Sequence, residues 1–231
     1  GTLQLGDASG DTLTFNGGLT TTSVGSTVTL NGEIESSNDA IVLGAVTLGS
    51  ATTIDTDASD TTGDITIGAV TGGSNSLTLS TGDNVANTDI TASGAISGVT
   101  TLTLADVGGT ATLSADVDVT TLTVGSTVAN VALNGDGSSV TNAVSFANDG
   151  TLQLGDATGD TLTFNGGLTT TSVGSTVTLN GTINASDDAI TLGAVTLGSN
   201  TTVDTNAASS NTADLTIAAV TGGSNTLTLS T

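Results

Sequence analysis

The chain repeats itself over a very long period. Residues 150–199 copy residues 1–50 with six differences: Ser9/Thr158, Glu33/Thr182, Glu35/Asn184, Ser36/Ala185, Asn38/Asp187 and Val42/Thr191. Gly1-Thr-Leu-Gln-Leu-Gly-Asp7 returns as Gly150-Thr-Leu-Gln-Leu-Gly-Asp156, an offset of 149. Near-identity over such a period is the mark of a tandem array, which grows in one dimension and spans distance. Residues 1–149 are read as a first copy and 150–231 as a partial second copy. The chain is therefore expected to be a window on a longer array, forming one continuous structure with no linker.

The residue types present exclude several classes of function. There is no Lys, Arg, His, Cys, Met, Pro, Trp or Tyr, and 22 Asp and Glu give a formal charge of −22. Without a cation the chain has no electrostatic basis for binding nucleic acid or an anionic membrane surface. No apolar run is long enough for a membrane span. The main ligands for zinc, copper and haem are missing, as are the commonest general base and the commonest activated nucleophiles. An enzyme would have to work with Asp alone, so none is expected. High net charge with few aromatics is also a signature of disorder. Against it, 35% of the residues are hydrophobic and they are periodic.

The period is two. Thr12-Leu-Thr-Phe15, Thr27-Val-Thr-Leu30, Ile41-Val-Leu43, Asp64-Ile-Thr-Ile67, Ser76-Leu-Thr-Leu79, Thr101-Leu-Thr-Leu104 and Thr121-Leu-Thr-Val124 alternate between turn residues. Each reads as a short strand with one buried face. The two copies test this reading. Val42 becomes Thr191 while Ile41 and Leu43 persist as Ile190 and Leu192, as expected if Val42 points outward. Ile54/Val203 and Ile65/Leu215 exchange apolar for apolar at inward positions. The one extra residue of the second copy falls within Thr205–Ala213, a polar stretch read as a loop.

A finer period lies inside the long one: Ile41–Ser50 resembles Ile65–Ser74 at an offset of 24. Cutting at strand starts gives blocks 2–26, 27–40, 41–64, 65–89, 90–110, 111–130 and 131–150, hence six or seven coils per period. About 20–25 residues per coil suits a parallel β-solenoid, whose narrow core stacked Val, Leu, Ile and Ala can fill without Trp or Tyr. Gly, Asn, Asp and Ser would make its corners. The alternative is an antiparallel sandwich or tandem Ig-like domains. It rests on five Asn-Gly pairs, at Asn16, Asn31, Asn134, Asn165 and Asn180, which also suit two-residue hairpins. The solenoid reading places Leu13, Leu30, Leu43, Ile67, Leu79, Leu104, Leu113 and Leu133 inside, and gives each period a rise of roughly 29–34 Å.

Asp64-Ile-Thr-Ile-Gly-Ala-Val-Thr-Gly-Gly-Ser-Asn-Ser-Leu-Thr-Leu-Ser-Thr-Gly-Asp83 and Gly94-Ala-Ile-Ser-Gly-Val-Thr-Thr-Leu-Thr-Leu104 resemble the giant β-strand-repeat surface proteins of bacteria, which are filamentous-haemagglutinin-like and autotransporter-passenger-like chains. The likeness is one of texture along the whole chain and is shared by phage tail fibres. It implies an all-β, right-handed parallel β-helix, secreted to the cell surface and working as a stalk or fibre. A filament would meet other copies of itself end to end. In an adhesin or phage fibre, host receptors or cell-surface glycans would be bound by other regions. The family brings no catalytic motif.

Three constellations could carry chemistry. Asp55, Asp57, Asp60 and Asp64 share one loop, and Asp7 and Asp11 another, offering the oxygen ligands that Ca²⁺ takes. Their spacing matches no EF-hand or β-roll loop, and the second copy erodes the first cluster to Asn206 among Ser209, Ser210 and Asn211. Solvated turn residues are the plainer reading, and folding is expected to need no Ca²⁺. Asn180, Asn184 and Asn200 head N-glycosylation sequons. Thr-x-Thr pairs (Thr12/Thr14, Thr27/Thr29, Thr101/Thr103, Thr121/Thr123, Thr161/Thr163, Thr176/Thr178, Thr226/Thr228) could stack into the array of an ice-binding solenoid, although Thr is also the best polar residue for a solvated β-wall. Neither end of the chain has the Pro, charge or helix pattern of a solenoid cap, so end-to-end stacking is expected, with lateral repulsion from the carboxylates.

Overall fold

The computed structural model describes residues 1–56, 63–82, 87–207 and 213–231. Among them there is no helix, and the strands stack in parallel as a β-solenoid of about ten turns. Every strand pair in the ladders is parallel, so the hairpin alternative is not realised. Three walls run along the axis. The first turn lays Leu3–Leu5 on the first wall, Thr12–Thr14 on the second and Leu19–Thr20 on the third. Above Gln4 the first wall climbs through Thr29, Thr47, Thr71, Ser97, Asp118, Ser139, Thr163, Asn184, Asp204 and Ser230. Turns are unequal in length: a short one carries the chain from Thr29 to Thr47, a longer one from Thr71 to Ser97.

The alternation seen in the sequence becomes the core. On the third wall Leu19, Ile41, Ile65, Ile90, Ala111, Val131, Leu152, Val177, Val195 and Val220 stack in register. All but Leu19 and Val220, in the two end turns, are buried. Leu30, Leu43, Ile67, Leu79, Leu104, Leu113 and Leu133 are buried as expected. Leu13, in the first turn, is half-buried against the same core. Each fully buried side chain of this size contributes about 1.5–3 kcal/mol, repeated turn after turn. Phe146 and Phe164, both buried, meet edge to face at 6.3 Å where the two copies join.

The Asn-Gly pairs are corners. Asn31 and Gly32 sit inside the strand Val28–Glu35, where it passes from the first wall to the second. Gly32 has a φ of 71°, and any side chain there would run into the Asp11 carbonyl. Asn31 turns inward and its Nδ2 donates to the Gly6 carbonyl one turn below, at 3.1 Å; Asn180 does the same to Gly155 at 2.9 Å. A left-handed Gly after an Asn thus fits a solenoid corner as well as a hairpin. Wider corners are closed from inside by fully buried polar residues. Thr81 donates to the Thr88 carbonyl (3.2 Å), Asn148 to Thr151 (2.9 Å) and Thr205 to Ala213 (3.1 Å). Such a bond gives a buried hydroxyl or amide N–H its acceptor, although the Asn148 Oδ1 is left buried without a partner.

The long repeat and the solenoid turn are out of step. Gln4 lies on the first wall, but its equivalent Gln153 lies on the third. Thr12 is on the second wall and Thr161 on the first; Leu19 is on the third and Leu168 on the second. From Leu3–Leu5 the chain lays twenty wall segments before Leu152–Leu154 repeats the first, which is six and two-thirds turns. Six or seven coils per period is thereby resolved into a fraction. The 27–40 block, too short for a coil, arose from counting one whole coil between strand starts that lie on different walls. The second copy is rotated by a third of a turn about the axis.

Candidate functional site

Several of the described carboxylates are turn-builders. Asp11 Oδ2 accepts the backbone N–H groups of Asp7 (2.7 Å) and Ala8 (3.1 Å), and Asp160 repeats this with Asp156 (2.6 Å) and Ala157 (2.8 Å). These bonds, from Asp7 first and then Ala8, hold the Asp11 carboxyl below its usual range. Between turns, Asp64 accepts the N–H of Asp89 (2.9 Å), and Asp89 accepts that of Thr110 (2.7 Å). Asn130 continues the series by accepting from Thr151 at 2.9 Å. The Asp64 carboxylate is thus directed along the axis into the next turn.

Of the calcium candidates, Asp55 closes the second-wall strand Val46–Asp55 and Asp64 leads into the third-wall strand Ile65–Ile67. Asp57 and Asp60 lie outside the described residues. Among the described residues no group of three carboxylates is placed to hold a metal ion. The expectation that folding needs no Ca²⁺ stands as a prediction: β-sheet circular dichroism should be unchanged by EDTA, and its loss would overturn it.

The sequons differ in access. Asn180 is buried in its corner and Asn184 is half-buried on the first wall. Asn200 is exposed, its Oδ1 accepting the Thr226 N–H at 2.9 Å. Of the seven Thr-x-Thr pairs, only Thr101/Thr103 and Thr121/Thr123 stack on one another. Thr12 and Thr14 instead donate to Glu33 (3.1 Å) and Glu35 (2.8 Å). The surface depressions are shallow grooves, such as the one between Thr100, Asp118, Thr120 and Ser139.

The carboxylates are spread over all three walls. The second wall carries Glu33, Glu35 and Asp55 on adjacent rungs, and the first carries Asp118 and Asp204. On the third wall Asp64 and Asp89 stand at the leading edge, in the outward column that continues through Thr110 and Asn130. The other described carboxylates stand at corners. The next outward column of the third wall is Thr20, Val42, Thr66, Thr91, Thr112, Ala132, Gln153, Thr178, Thr196 and Thr221, ten rungs in unbroken register. The sequence alone does not reveal this wall, because unequal lengths of chain separate its rungs. The rotation between copies creates it. Copy one supplies the rungs as far as Ala132, and copy two continues with the equivalents of Gln4, Thr29, Thr47 and Thr71, which in copy one face the first wall.

Comparison of the chain with protein-family models, with curated proteins and with solved structures gives no match.

Proposed function

We propose that the chain is a structural element, a segment of an extracellular fibre or stalk whose work is to span distance. The observation that carries this reading is the seamless join between the copies. Leu133, Leu154 and Leu179 stack in register across residues 149 and 150. The backbone of the join is held by Asp149 N–H to the Val128 carbonyl (2.9 Å) and Gly150 N–H to Ala129 (2.7 Å). A repeat that passes into its next copy with no break in core or ladder adds length without adding a joint. The lack of Lys and Arg supports service outside the cell, since trypsin-like proteases find no cleavage site.

Two measurements test the reading. Each complete copy added to the chain is expected to lengthen the particle by about 32 Å in small-angle scattering, from six and two-thirds turns at about 4.8 Å. Flexibly joined beads with a broad distance distribution would refute the spacer. Antibody against the chain is expected to decorate intact source cells or particles, and labelling only after permeabilisation would refute the location. The same geometry serves an adhesin or phage fibre whose receptor-binding tip lies in other regions, in which case labelled fibres end in a distinct head.

A further inference from the structure

We propose that this chain carries a self-modification site at Asn16-Gly17, where the asparagine deamidates without an enzyme, and that the fold suppresses the same reaction at the four other Asn-Gly pairs. The inference is independent of the spacer reading, because it rests on the local chemistry of five identical dipeptides. Asparagine is thermolabile, and a following Gly, lacking Cβ, lets its backbone nitrogen approach the side chain. The Gly17 nitrogen gives up its proton to hydroxide and attacks Asn16 Cγ. That C–N bond forms, the Cγ–Nδ2 bond breaks, and Nδ2 leaves as ammonia with a proton from water. Water then opens the cyclic imide at one of its two carbonyls, leaving aspartate or isoaspartate. Ring closure needs a Gly N–H that is not held elsewhere and a side-chain amide free to swing over it. A donor placed on the developing oxyanion speeds it.

The five pairs meet these needs unequally. Asn31 and Asn180 are locked twice over. Gly32 and Gly181 donate their N–H to Ser50 Oγ (3.3 Å) and Ser199 Oγ (3.2 Å), while both side-chain amides are buried and donate to the Gly6 and Gly155 carbonyls. Asn134 has an oxyanion donor in Gln153 Nε2 (3.0 Å), but Gly135 is buried so close over the Ala115 backbone that its nitrogen cannot turn. Asn16 and Asn165 are equivalents in the two copies, each within Phe-Asn-Gly-Gly-Leu. Each has a Ser hydroxyl of the next turn donating to its Oδ1, Ser37 at 2.9 Å and Ser186 at 2.7 Å. The difference lies on the other side. Asn165 Nδ2 donates to Ser139 Oγ (3.1 Å) and the Val140 carbonyl (3.4 Å) of the turn below, and Gly166 rests on the Asn142–Ala143 backbone. Asn16 and Gly17 are exposed, and Gly17 has nothing within 4 Å of where a side chain would begin. Among the described residues nothing accepts from the Asn16 amide or the Gly17 N–H. The oxyanion donor is in place and both locks are open. An Asn-Gly at this corner is therefore reactive in an end turn and silent once a turn lies beneath it.

Incubation of the chain at pH 8 and 37 °C in ¹⁸O-labelled water, followed site by site by peptide mass spectrometry, tests the assignment, since the label marks the incoming oxygen. Asn16 is expected to convert at least about tenfold faster than Asn31 and Asn180, and several-fold faster than Asn134 and Asn165. Each event adds one carboxylate, so anion-exchange chromatography should show a single later-eluting species first. In concentrated urea, with circular dichroism confirming that the chain is unfolded, the five rates should converge, because the fold alone separates them. Joining one complete copy ahead of Gly1 should slow Asn16 to the rate of Asn165. Asn16→Gln should remove the fast event, since its ring would need one more atom. An unreacted Asn16, or conversion of Asn31 or Asn180 at its rate in the folded chain, would overturn the assignment. So would equal rates at Asn16 and Asn165, no slowing when a copy lies beneath Asn16, or the same order of rates in the unfolded chain.

Discussion

Acidification is expected to precipitate this chain below about pH 3 and to leave it insoluble, but still folded, at pH 2. Ordinary proteins regain solubility below their isoelectric point because Lys, Arg and His supply positive charge, and the same charge helps to unfold them. Here there is no cationic side chain, so the net charge reaches zero only when all but about one of the carboxylates are protonated, below about pH 3. Protonating 22 carboxylates takes the net charge from −22 to about +1, the N-terminal amine alone, so no repulsive state exists on the acid side. Linkage gives acid little purchase on the fold. Asp11, whose carboxyl is held low by the N–H groups of Asp7 and Ala8, contributes stability above the unfolded value of 3.8 and loses it as pH falls through its lower folded value. Asp156 acts in the opposite sense. Burial first, then the neighbouring Asp160, raises its carboxyl, so the cost of ionising it is relieved as pH falls. The two effects oppose one another at exposed sites. Turbidity and circular dichroism from pH 7 to pH 2 check the result. Clearing of the suspension at pH 2, or loss of the β-sheet spectrum, would contradict it.

Phe146→Ala is expected to be the most damaging single substitution at the join between copies, lowering stability by about 3–5 kcal/mol. Phe146 is fully buried, and its ring meets Phe164 edge to face at 6.3 Å and 86°. Such pairs contribute beyond the area they bury. A solenoid core is only a few side chains wide, so the neighbouring turns cannot close the cavity without shearing their own ladders. Because each turn touches only its neighbours, the damage should stay local and split thermal unfolding into two steps, one on each side of the join. Thr103→Ala, on an outward position of the second wall, should remain within about 0.5 kcal/mol of the parent. Calorimetry and chemical denaturation measure both. A loss under about 1 kcal/mol for Phe146→Ala, with a single sharp transition, would show that the join is not a weak plane.

Much of the fold was legible because a narrow β core forces alternation. Ile41 and Leu43 inside with Val42 outside follow from two copies that differ at one letter, and the structure places them so. The corners were less legible. Asn31-Gly32 satisfies a hairpin and a solenoid corner equally, since both need a left-handed Gly; only the chain one turn below, with its Gly6 carbonyl waiting for the Asn31 amide, separates them. Asp7, Asp11 and Asp64 looked like ligands because carboxylates close together in sequence suit a cation as well as they suit backbone N–H groups. The third wall as one continuous face could not be read at all. Its rungs are set by turn lengths as different as Thr29 to Thr47 and Thr71 to Ser97, and these become known only once the strands are stacked.

The mismatch between repeat and turn fixes how a longer array would present anything attached to it. Thr56 follows a second-wall strand and Gly63 precedes a third-wall one, while their equivalents Thr205 and Ala213 follow a first-wall strand and precede a second-wall one. Equivalent points on successive copies are therefore separated by about 120° in bearing as well as by about 32 Å in height. They return to one line only after three copies, about 96 Å on. Glycans, ligands or neighbouring fibres attached once per copy would follow a spiral staircase, each out of the way of the next. A period of a whole number of turns would instead crowd them along a single ridge.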